Sequence, residues 1–172
     1  VKGLRVPAPR CTVGDVVLVD HDAEAWTVLA QNGTARAQLF EILKRHGVDP
    51  VYPEAVRACL PQVLAEPGLD DDALDRTGQA FVTIDNEDSR DLDQALFIER
   101  NDEGGFVVSY ALADASYYVV PGSPLFEESL QRGTSYYLPG LCVPMLPPEL
   151  SEGLISLNPN VDRRALIFVM HL

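Results

Sequence analysis

Cysteine is scarce in this sequence. Only Cys11, Cys59 and Cys142 occur among its 172 residues, and they lie far apart with no C-x-x-C pair. A disulfide framework usually has an even number of cysteines, and a structural zinc site has paired ligands at short spacing. The sequence therefore argues against both, and we expect a reducing, cytoplasmic location.

Long hydrophobic runs are also missing. No apolar stretch approaches the roughly 18–20 residues that span a bilayer, and no basic segment followed by an apolar one stands at the start. We therefore expect no membrane partner. The first residue is valine and residues 165–172 are an apolar run, from which we predict that the chain is a piece of a longer protein.

Basic residues are few: 13 against 26 acidic ones, for a net charge of −13. Basic patches supply most of the affinity of nucleic-acid-binding surfaces, so the charge by itself argues against such a surface. The excess is concentrated in residues 84–172, which hold 5 basic and 14 acidic residues.

The pattern along the chain predicts an α+β fold in three parts. Residues 1–34 form a β-rich unit, either the end of an OB-like barrel or a small winged-helix-like unit. Residues 35–79 form a helical connecting segment that includes a charged linker at residues 70–72. Residues 80–172 form a mixed or antiparallel sheet with helices.

Two helices are predicted in the connecting segment. The first runs from about residue 35 to 46, with Thr34 as N-cap and Gly47 as C-cap. The second begins with Pro53 at its first helical position. Helical spacing predicts that their inward residues are Leu39, Ile42 and Leu43 in the first, and Val56, Leu60 and Val63 in the second.

Further elements are predicted after residue 80. They are a β-type run at residues 80–84, a hairpin of residues 94–99 and 106–113, a helix from Ser123 to Arg132 closed by Gly133, a short helix or turn within residues 147–157, and a strand from residue 165. The helix should turn Leu125, Phe126 and Leu130 inward.

The feature that carries chemistry is an acidic run. Five acidic side chains fall within residues 85–93, directly after the apolar run at 80–84. Carboxylates this close repel one another unless a cation lies among them, and such hard oxygen ligands suit Mg²⁺ or Mn²⁺ better than zinc.

Several interpretations of the run compete. A solvated acidic turn is the plainest one. An EF-hand loop fails, because counting from Asp85 puts Arg90 where the glycine should be and Leu96 where the glutamate should be. A lone D-x-D, Asp91 to Asp93, is typical of some sugar-transferring enzymes. A catalytic metal site would have Asp85, Asp91 and Asp93 converge, since a D-x-D places both side chains on one side of an extended backbone.

The run resembles the signature of the ribonuclease II catalytic domain, the RNB family. That signature is close to T-I-D-x-x-D-[AS]-[KR]-D-[ILM]-D-D-A, and here it reads T-I-D-N-E-D-S-R-D-L-D-Q-A. Five further blocks match the family in order: A-D-A-S-Y-Y-V from Ala113, P-G-S-P-L from Pro121, R-G-T-S-Y-Y-L-P from Arg132, V-P-M-L-P with L-S from Val143, and S-L-N-P with V-D-R from Ser156.

The resemblance covers residues 80–172 and implies a processive, Mg²⁺-dependent 3′→5′ exoribonuclease that converts single-stranded RNA to nucleoside 5′-monophosphates. It implies that Asp85, Asp91 and Asp93 bind the metal and position the attacking water, with Asp93 indispensable. Tyr137 would stack on the 3′-terminal nucleotide; a core aromatic is the alternative. Asp114 and Tyr117 are interpreted as supporting the fold. We further expect a monomer.

The sequence departs from the family at Gln94, where the pattern has a fourth aspartate. Glutamine keeps a neutral oxygen ligand and adds donors, but it loses a charge; we place Gln94 in the substrate site. The rest of the family's catalytic domain and a terminal OB-type RNA-binding domain are expected in the full protein. A non-catalytic RNA-binding regulator on the same fold and an unrelated nucleotidyl or sugar transferase stay open as alternatives.

Overall fold

The computed structural model describes residues 11–19, 26–66, 68, 70 and 73–172. Parts of the predicted β-rich unit, residues 1–10 and 20–25, and residues 71 and 72 of the predicted linker lie outside the described residues. Contacts between Cα atoms divide the chain into two compact units. One holds the residues up to Val51 with Tyr137–Cys142, and the other holds Tyr52–Tyr136 with Val143–Leu172. The predicted boundaries after residues 34 and 79 stay predictions.

The secondary structure consists mostly of pairs of strands followed by pairs of short helices. In chain order the elements are β1 (Val16–Val19), β2 (Trp26–Ala30), α1 (Ala35–Arg45), α2 (Glu54–Leu64), β3 (Gln94–Arg100), β4 (Phe106–Ala113), the single turn α3 (Ala115–Tyr118), α4 (Pro124–Arg132), β5 (Tyr136–Leu138), β6 (Leu141–Val143), a π-helical turn (Glu149–Leu154) and β7 (Ala165–His171). The predicted α+β class is confirmed.

In the first unit β1 and β2 pair antiparallel, and α1 follows them. The predicted N-cap is confirmed, because the Thr34 hydroxyl accepts a hydrogen bond from the Ala37 N–H at 3.2 Å. The helix ends one residue earlier than predicted: His46 is the C-cap, and Gly47 follows with φ of +70°.

Of the three residues predicted to face inward from α1, only Leu43 is buried, and Leu39 is partly buried. The buried residues are Ala37, Phe40 and Leu43, whereas Ile42 is 40% exposed. A helix rotates by about 100° per residue, so a stripe at intervals of three residues through Leu43 leaves its neighbour Ile42 on the flank.

In the second unit α2, α4 and the π-helical turn enclose an apolar core. Its buried residues are Val56, Tyr118, Leu125, Leu146, Leu150 and Ile155. The predicted inward face of α2 is confirmed, since Leu60 and Val63 also pack against this core. Pro53, however, is the N-cap of α2 and not its first helical residue.

Helix α4 has the predicted caps. The Ser123 hydroxyl accepts from the Phe126 N–H at 3.1 Å, and Gly133 adopts the left-handed conformation that ends the helix. Leu125 is buried as predicted, but Leu130 is 62% exposed. Leu130 lies five residues beyond Leu125, which turns it about 140° away from the buried face.

Strands β3, β4 and β7 form an antiparallel sheet with β4 in the centre. The predicted hairpin is confirmed, with Gln94 opposite Leu112 and Arg100 opposite Phe106. The strand predicted at residues 80–84 is wrong, because only Val82 pairs, in a single bridge to Leu96. On one side of it the Phe81 N–H bonds to the Gln79 carbonyl in a local turn, and on the other side the chain enters the acidic run.

None of the three cysteines forms a disulfide. Among the described residues, no helix is long and apolar enough to cross a membrane. The cytoplasmic location and the monomeric state stay predictions.

A buried carboxylate joins β4 to the segment before β7. Asp114 is 4% exposed, and it accepts hydrogen bonds from the Ser116 hydroxyl at 2.6 Å, the Tyr117 N–H at 3.3 Å and Arg164 Nε at 2.7 Å. Arg164 also pairs with Asp70 at 2.7 Å and lies over the Tyr117 ring. Asp114 and Tyr117 therefore support the fold, as interpreted from the sequence.

Burial by itself would raise the pKa of Asp114, but the hydrogen bonds from Ser116 and Arg164 outweigh it, so the pKa is lowered from its ordinary value. A carboxyl whose pKa is lower in the folded than in the unfolded chain stabilises the fold above the unfolded pKa. That contribution is lost as the pH falls through the folded pKa.

We predict that Asp114→Asn lowers the free energy of unfolding at pH 7 by about 1.5–3 kcal/mol, the usual contribution of hydrogen bonds to a charged group. The difference from the wild type should shrink as the pH falls below about 4. Denaturant unfolding of the two proteins from pH 7 to pH 3 measures this. The control Asp102→Asn, in the exposed hairpin loop, should stay within about 0.5 kcal/mol; an equal loss in both variants would contradict the assignment.

Candidate active site

The acidic residues lie on a loop that is closed at its base by a backbone bridge. Val82 and Leu96 exchange two hydrogen bonds, each 2.9 Å long. Residues 83–93, which lie between Val82 and the start of β3, are here called the acidic loop. The loop reverses direction where the Ser89 N–H bonds to the Asn86 carbonyl at 3.0 Å. The loop therefore leaves and rejoins the sheet at one point, next to the start of β3.

Asp85 and Asp93 lie on opposite arms of this loop, at equal distances in sequence from the bridge. Asp85 follows Val82 by three residues, and Asp93 precedes Leu96 by three. The bridge is isolated, so it fixes the pairing of Val82 with Leu96 and of no residue further along either arm. Both are exposed. The loop thus carries acceptor oxygens on each arm.

Residues 90–93, the arm of the acidic loop that returns to β3, make more contacts with the rest of the protein than the outgoing arm does. Leu92 is 8% exposed, while Asp91 and Asp93 on either side of it are exposed. A buried residue between two exposed ones is the alternation of an extended backbone. It agrees with the predicted projection of Asp91 and Asp93 to the same side.

Hydrogen bonds from distant segments hold this arm. The Ser156 hydroxyl donates to the Arg90 carbonyl at 2.7 Å and accepts from the Leu92 N–H at 3.0 Å. The Leu157 N–H donates to the Leu92 carbonyl at 2.8 Å, and the Ala113 N–H donates to the Asp93 carbonyl at 2.9 Å. Asp91 and Asp93 therefore project from a backbone whose peptide groups are held on both sides.

The donor set of the acidic loop is of the kind that Mg²⁺ prefers, since it consists of carboxylate oxygens. Its geometry is not that of an assembled site: among the described residues, no group of three or more His, Cys, Asp or Glu side chains is close enough to hold a metal ion. The metal-binding roles of Asp85, Asp91 and Asp93 therefore stay predictions.

Gln94, the departure from the family signature, begins β3. Its side-chain oxygen accepts a short hydrogen bond from the Tyr110 hydroxyl on β4. Gln94 and Tyr110 are diagonal neighbours on one sheet face, because Gln94 pairs with Leu112 and Leu96 pairs with Tyr110. The amide is thus held by the sheet and not by the acidic loop.

Tyr137 lies on β5, in the first unit, with 69% of its surface exposed. An aromatic side chain this exposed is not a core residue, which removes the alternative considered from the sequence. Its stacking on a nucleotide stays a prediction.

The family model of the RNB domain matches residues 74–172. The chain belongs to the RNB family. Ribonuclease R of Escherichia coli (strain K12) is 42% identical to it over 130 residues, which are 74% of this chain and 16% of that protein. Exoribonuclease 2 of Serratia proteamaculans (strain 568) is 37% identical over 147 residues, 86% of this chain and 20% of that protein. The chain thus spans about a fifth or less of the length of these relatives.

Solved structures of an RNB protein share the fold. Mycoplasma genitalium RNase R in complex with double-stranded RNA has a TM-score of 0.77 and 30% sequence identity, over 84% of this chain and 26% of that one. The same protein in complex with ribose methylated single-stranded RNA has a TM-score of 0.69 and 29% identity, over 84% and 23%. The resemblance to a partial RNB-type domain is therefore confirmed.

The structure adds residues that the sequence reasoning did not assign. The sequence pattern gives Ser156 and Arg163 no role beyond their places in the last matching block, and it gives Tyr110 none. Since Ser156 is 64 residues from Leu92 in sequence, its contact with the acidic loop could not be derived from local spacing. The match of the S-L-N-P block was the one available signal.

We predict that Leu92→Ala destabilises the chain by about 2–4 kcal/mol, because it removes the buried side chain that anchors the returning arm. The matched control is Ile84→Ala on the outgoing arm, where the side chain is 83% exposed and a change of less than about 0.5 kcal/mol is expected. Denaturant unfolding compares the two. Equal losses would show that the acidic loop is not anchored through Leu92.

Proposed function

We propose that the natural protein containing this chain is a processive 3′→5′ exoribonuclease. It would hydrolyse single-stranded RNA and release nucleoside 5′-monophosphates. The observation that carries the proposal is the pair Asp91 and Asp93, exposed on either side of a buried residue on a backbone held by distant hydrogen bonds. Membership of a family whose members include ribonuclease R and exoribonuclease 2 supports it.

The proposed reaction is a hydrolysis at the 3′ end. An oxygen–phosphorus bond forms between water and the last phosphodiester, and the bond from phosphorus to the 3′-oxygen of the preceding nucleotide breaks. Of the two protons of water, one is transferred to that 3′-oxygen. The released nucleotide keeps the phosphate on its 5′-oxygen. Asp91 and Asp93 supply acceptor oxygens that could orient the attacking water.

The proposed cofactor is Mg²⁺, with Mn²⁺ as a substitute, bound by Asp85, Asp91 and Asp93. When bound, such an ion lowers the pKa of water and offsets the charge of phosphate. Electrostatics supports the need for a cation, because five carboxylates and one basic residue, Arg90, occupy residues 85–93. Without added positive charge this loop repels an RNA phosphate.

Tyr137 and Gln94 are the proposed substrate-binding residues. An exposed aromatic ring can stack on any base, which contributes about 1–3 kcal/mol per base and does not select a sequence. Gln94, held by Tyr110, presents a neutral amide that can both donate and accept hydrogen bonds.

An oligonucleotide assay with the intact natural polypeptide tests the proposal. A 5′-labelled single-stranded RNA should be shortened stepwise in the presence of Mg²⁺, EDTA should stop the reaction, and the matching DNA should stay intact. RNA that is bound but never shortened would favour the alternative of a non-catalytic RNA-binding protein, for which the loss of the fourth carboxylate at Gln94 is the motivating observation. Activity on a nucleotide donor, and none on RNA, would favour a transferase.

We predict that Asp93→Asn lowers kcat at least about 100-fold, the usual cost of removing one electrostatic contact from a preorganised site. RNA affinity should stay equal or increase, because a negative charge near phosphate is removed. Single-turnover cleavage and filter binding measure the two quantities. Asp102→Asn, which removes a carboxylate outside the acidic loop, should change neither. Hydrolysis that survives Asp93→Asn would disprove the role given to this residue.

A further inference from the structure

The last matched block has two parts, S-L-N-P and V-D-R, and neither has a role in the reaction proposed above. Ser156 opens the first part and Arg163 ends the second. Ser156 is 1% exposed, so its polar side chain must find its hydrogen bonds inside the protein. Those bonds lead to the acidic loop.

We propose that Ser156 is a positioning residue for the Asp91 and Asp93 carboxylates. Its hydroxyl connects the Arg90 carbonyl and the Leu92 N–H, at 2.7 Å and 3.0 Å. These two groups belong to the peptide units on either side of Asp91. One side chain thus fixes both peptide planes that determine where Asp91 points, and the next residue but one is Asp93. This inference rests on the proposed function.

A hydroxyl suits this place because it donates and accepts at the same time. Alanine at position 156 would leave the Leu92 N–H and the Arg90 carbonyl without this partner. Leu92 is 8% exposed, so water has little access to its N–H. The backbone would then be expected to shift towards solvent to satisfy the two groups, and the flanking carboxylates would move with it.

Arg163 holds the backbone on which Ser156 lies. Its Nε donates to the Ser156 carbonyl at 3.0 Å, and its Nη2 donates to the Gly153 carbonyl at 3.2 Å. The two parts of the block therefore act together: Arg163 holds the chain around Ser156, and Ser156 holds the acidic loop. The Leu157 N–H adds a third contact, to the Leu92 carbonyl at 2.8 Å.

The effect should fall on the chemical step and not on RNA binding. A shift of about 1 Å in a reacting group can cost about 100-fold in rate. We expect Ser156→Ala to lower kcat by about 10–100-fold. KM should stay within about twofold, because the Ser156 hydroxyl bonds to the backbone of Arg90 and Leu92 and not to the proposed substrate-binding residues.

The experiment uses the intact natural polypeptide and two readouts. RNA cleavage gives kcat and KM. Amide hydrogen exchange, followed by mass spectrometry, gives the protection of the Leu92 N–H without reference to activity. Ser156→Ala should speed exchange in the segment that contains Leu92 by about tenfold or more, since the N–H loses its acceptor. Ser156→Thr, which keeps the hydroxyl, should restore most of kcat and of the protection.

Ser123→Ala is the matched control. It also removes a serine hydroxyl that accepts a backbone N–H, at the N-cap of α4, and a similar loss of thermal stability is expected. It should leave kcat within about twofold and the exchange at Leu92 unchanged. If Ser156→Ala does not fold, Ser156→Cys keeps the volume with a weaker donor and acceptor, and the same comparison applies.

The inference is overturned if Ser156→Ala, or the cysteine variant in its place, lowers kcat no more than Ser123→Ala does. It is also overturned if exchange at Leu92 does not change. A wild-type protein that binds RNA without cutting it defeats the proposed function, and the positioning role with it. If the Leu92 N–H is nevertheless protected in that wild type and loses its protection in Ser156→Ala, the contact exists and only the proposed chemistry has failed.

Discussion

The buried hydroxyl of Ser156 bonds to the backbone of the acidic loop on both sides of Asp91 and so connects this loop to the interior of the second unit. The loop brings five carboxylates into a short stretch of chain, and their mutual repulsion favours conformations in which they spread apart. What opposes this is backbone hydrogen bonding to Ser156, Leu157 and Ala113, together with the burial of Leu92. Those contacts depend in turn on the placement of the π-helical turn and of β4.

The carboxylates of this protein lie in two different environments. Asp114 is buried and neutralised by Arg164, so it contributes to the fold and its pKa is lowered. Asp85, Asp91 and Asp93 are exposed. A carboxylate thus stabilises the fold where a guanidinium faces it inside the protein, whereas the carboxylates of the acidic loop lie at the surface.

Much of the second unit could be predicted from local pattern. The caps Ser123 and Gly133 and the hairpin around residues 101–105 depend on neighbours within a few positions, so spacing was enough. Three of the errors have one origin. Ile42 and Leu130 are apolar helix residues that lie outside the buried faces of their helices, and the run at residues 80–84 is apolar but makes one bridge. Hydrophobicity alone does not say which face or segment has a partner to pack against.

The acidic loop shows the same division. The sequence by itself determined the carboxylates, their D-x-D alternation and the family, because these are carried by residue identity and order. Only the tertiary structure decided that the antiparallel bridge at Val82 and Leu96 closes the loop, that Tyr110 holds Gln94 and that Ser156 holds the backbone around Asp91. The physical reason is separation along the chain: a hydrogen bond between residues 64 positions apart forms only when the core between them has packed, and no local spacing encodes it.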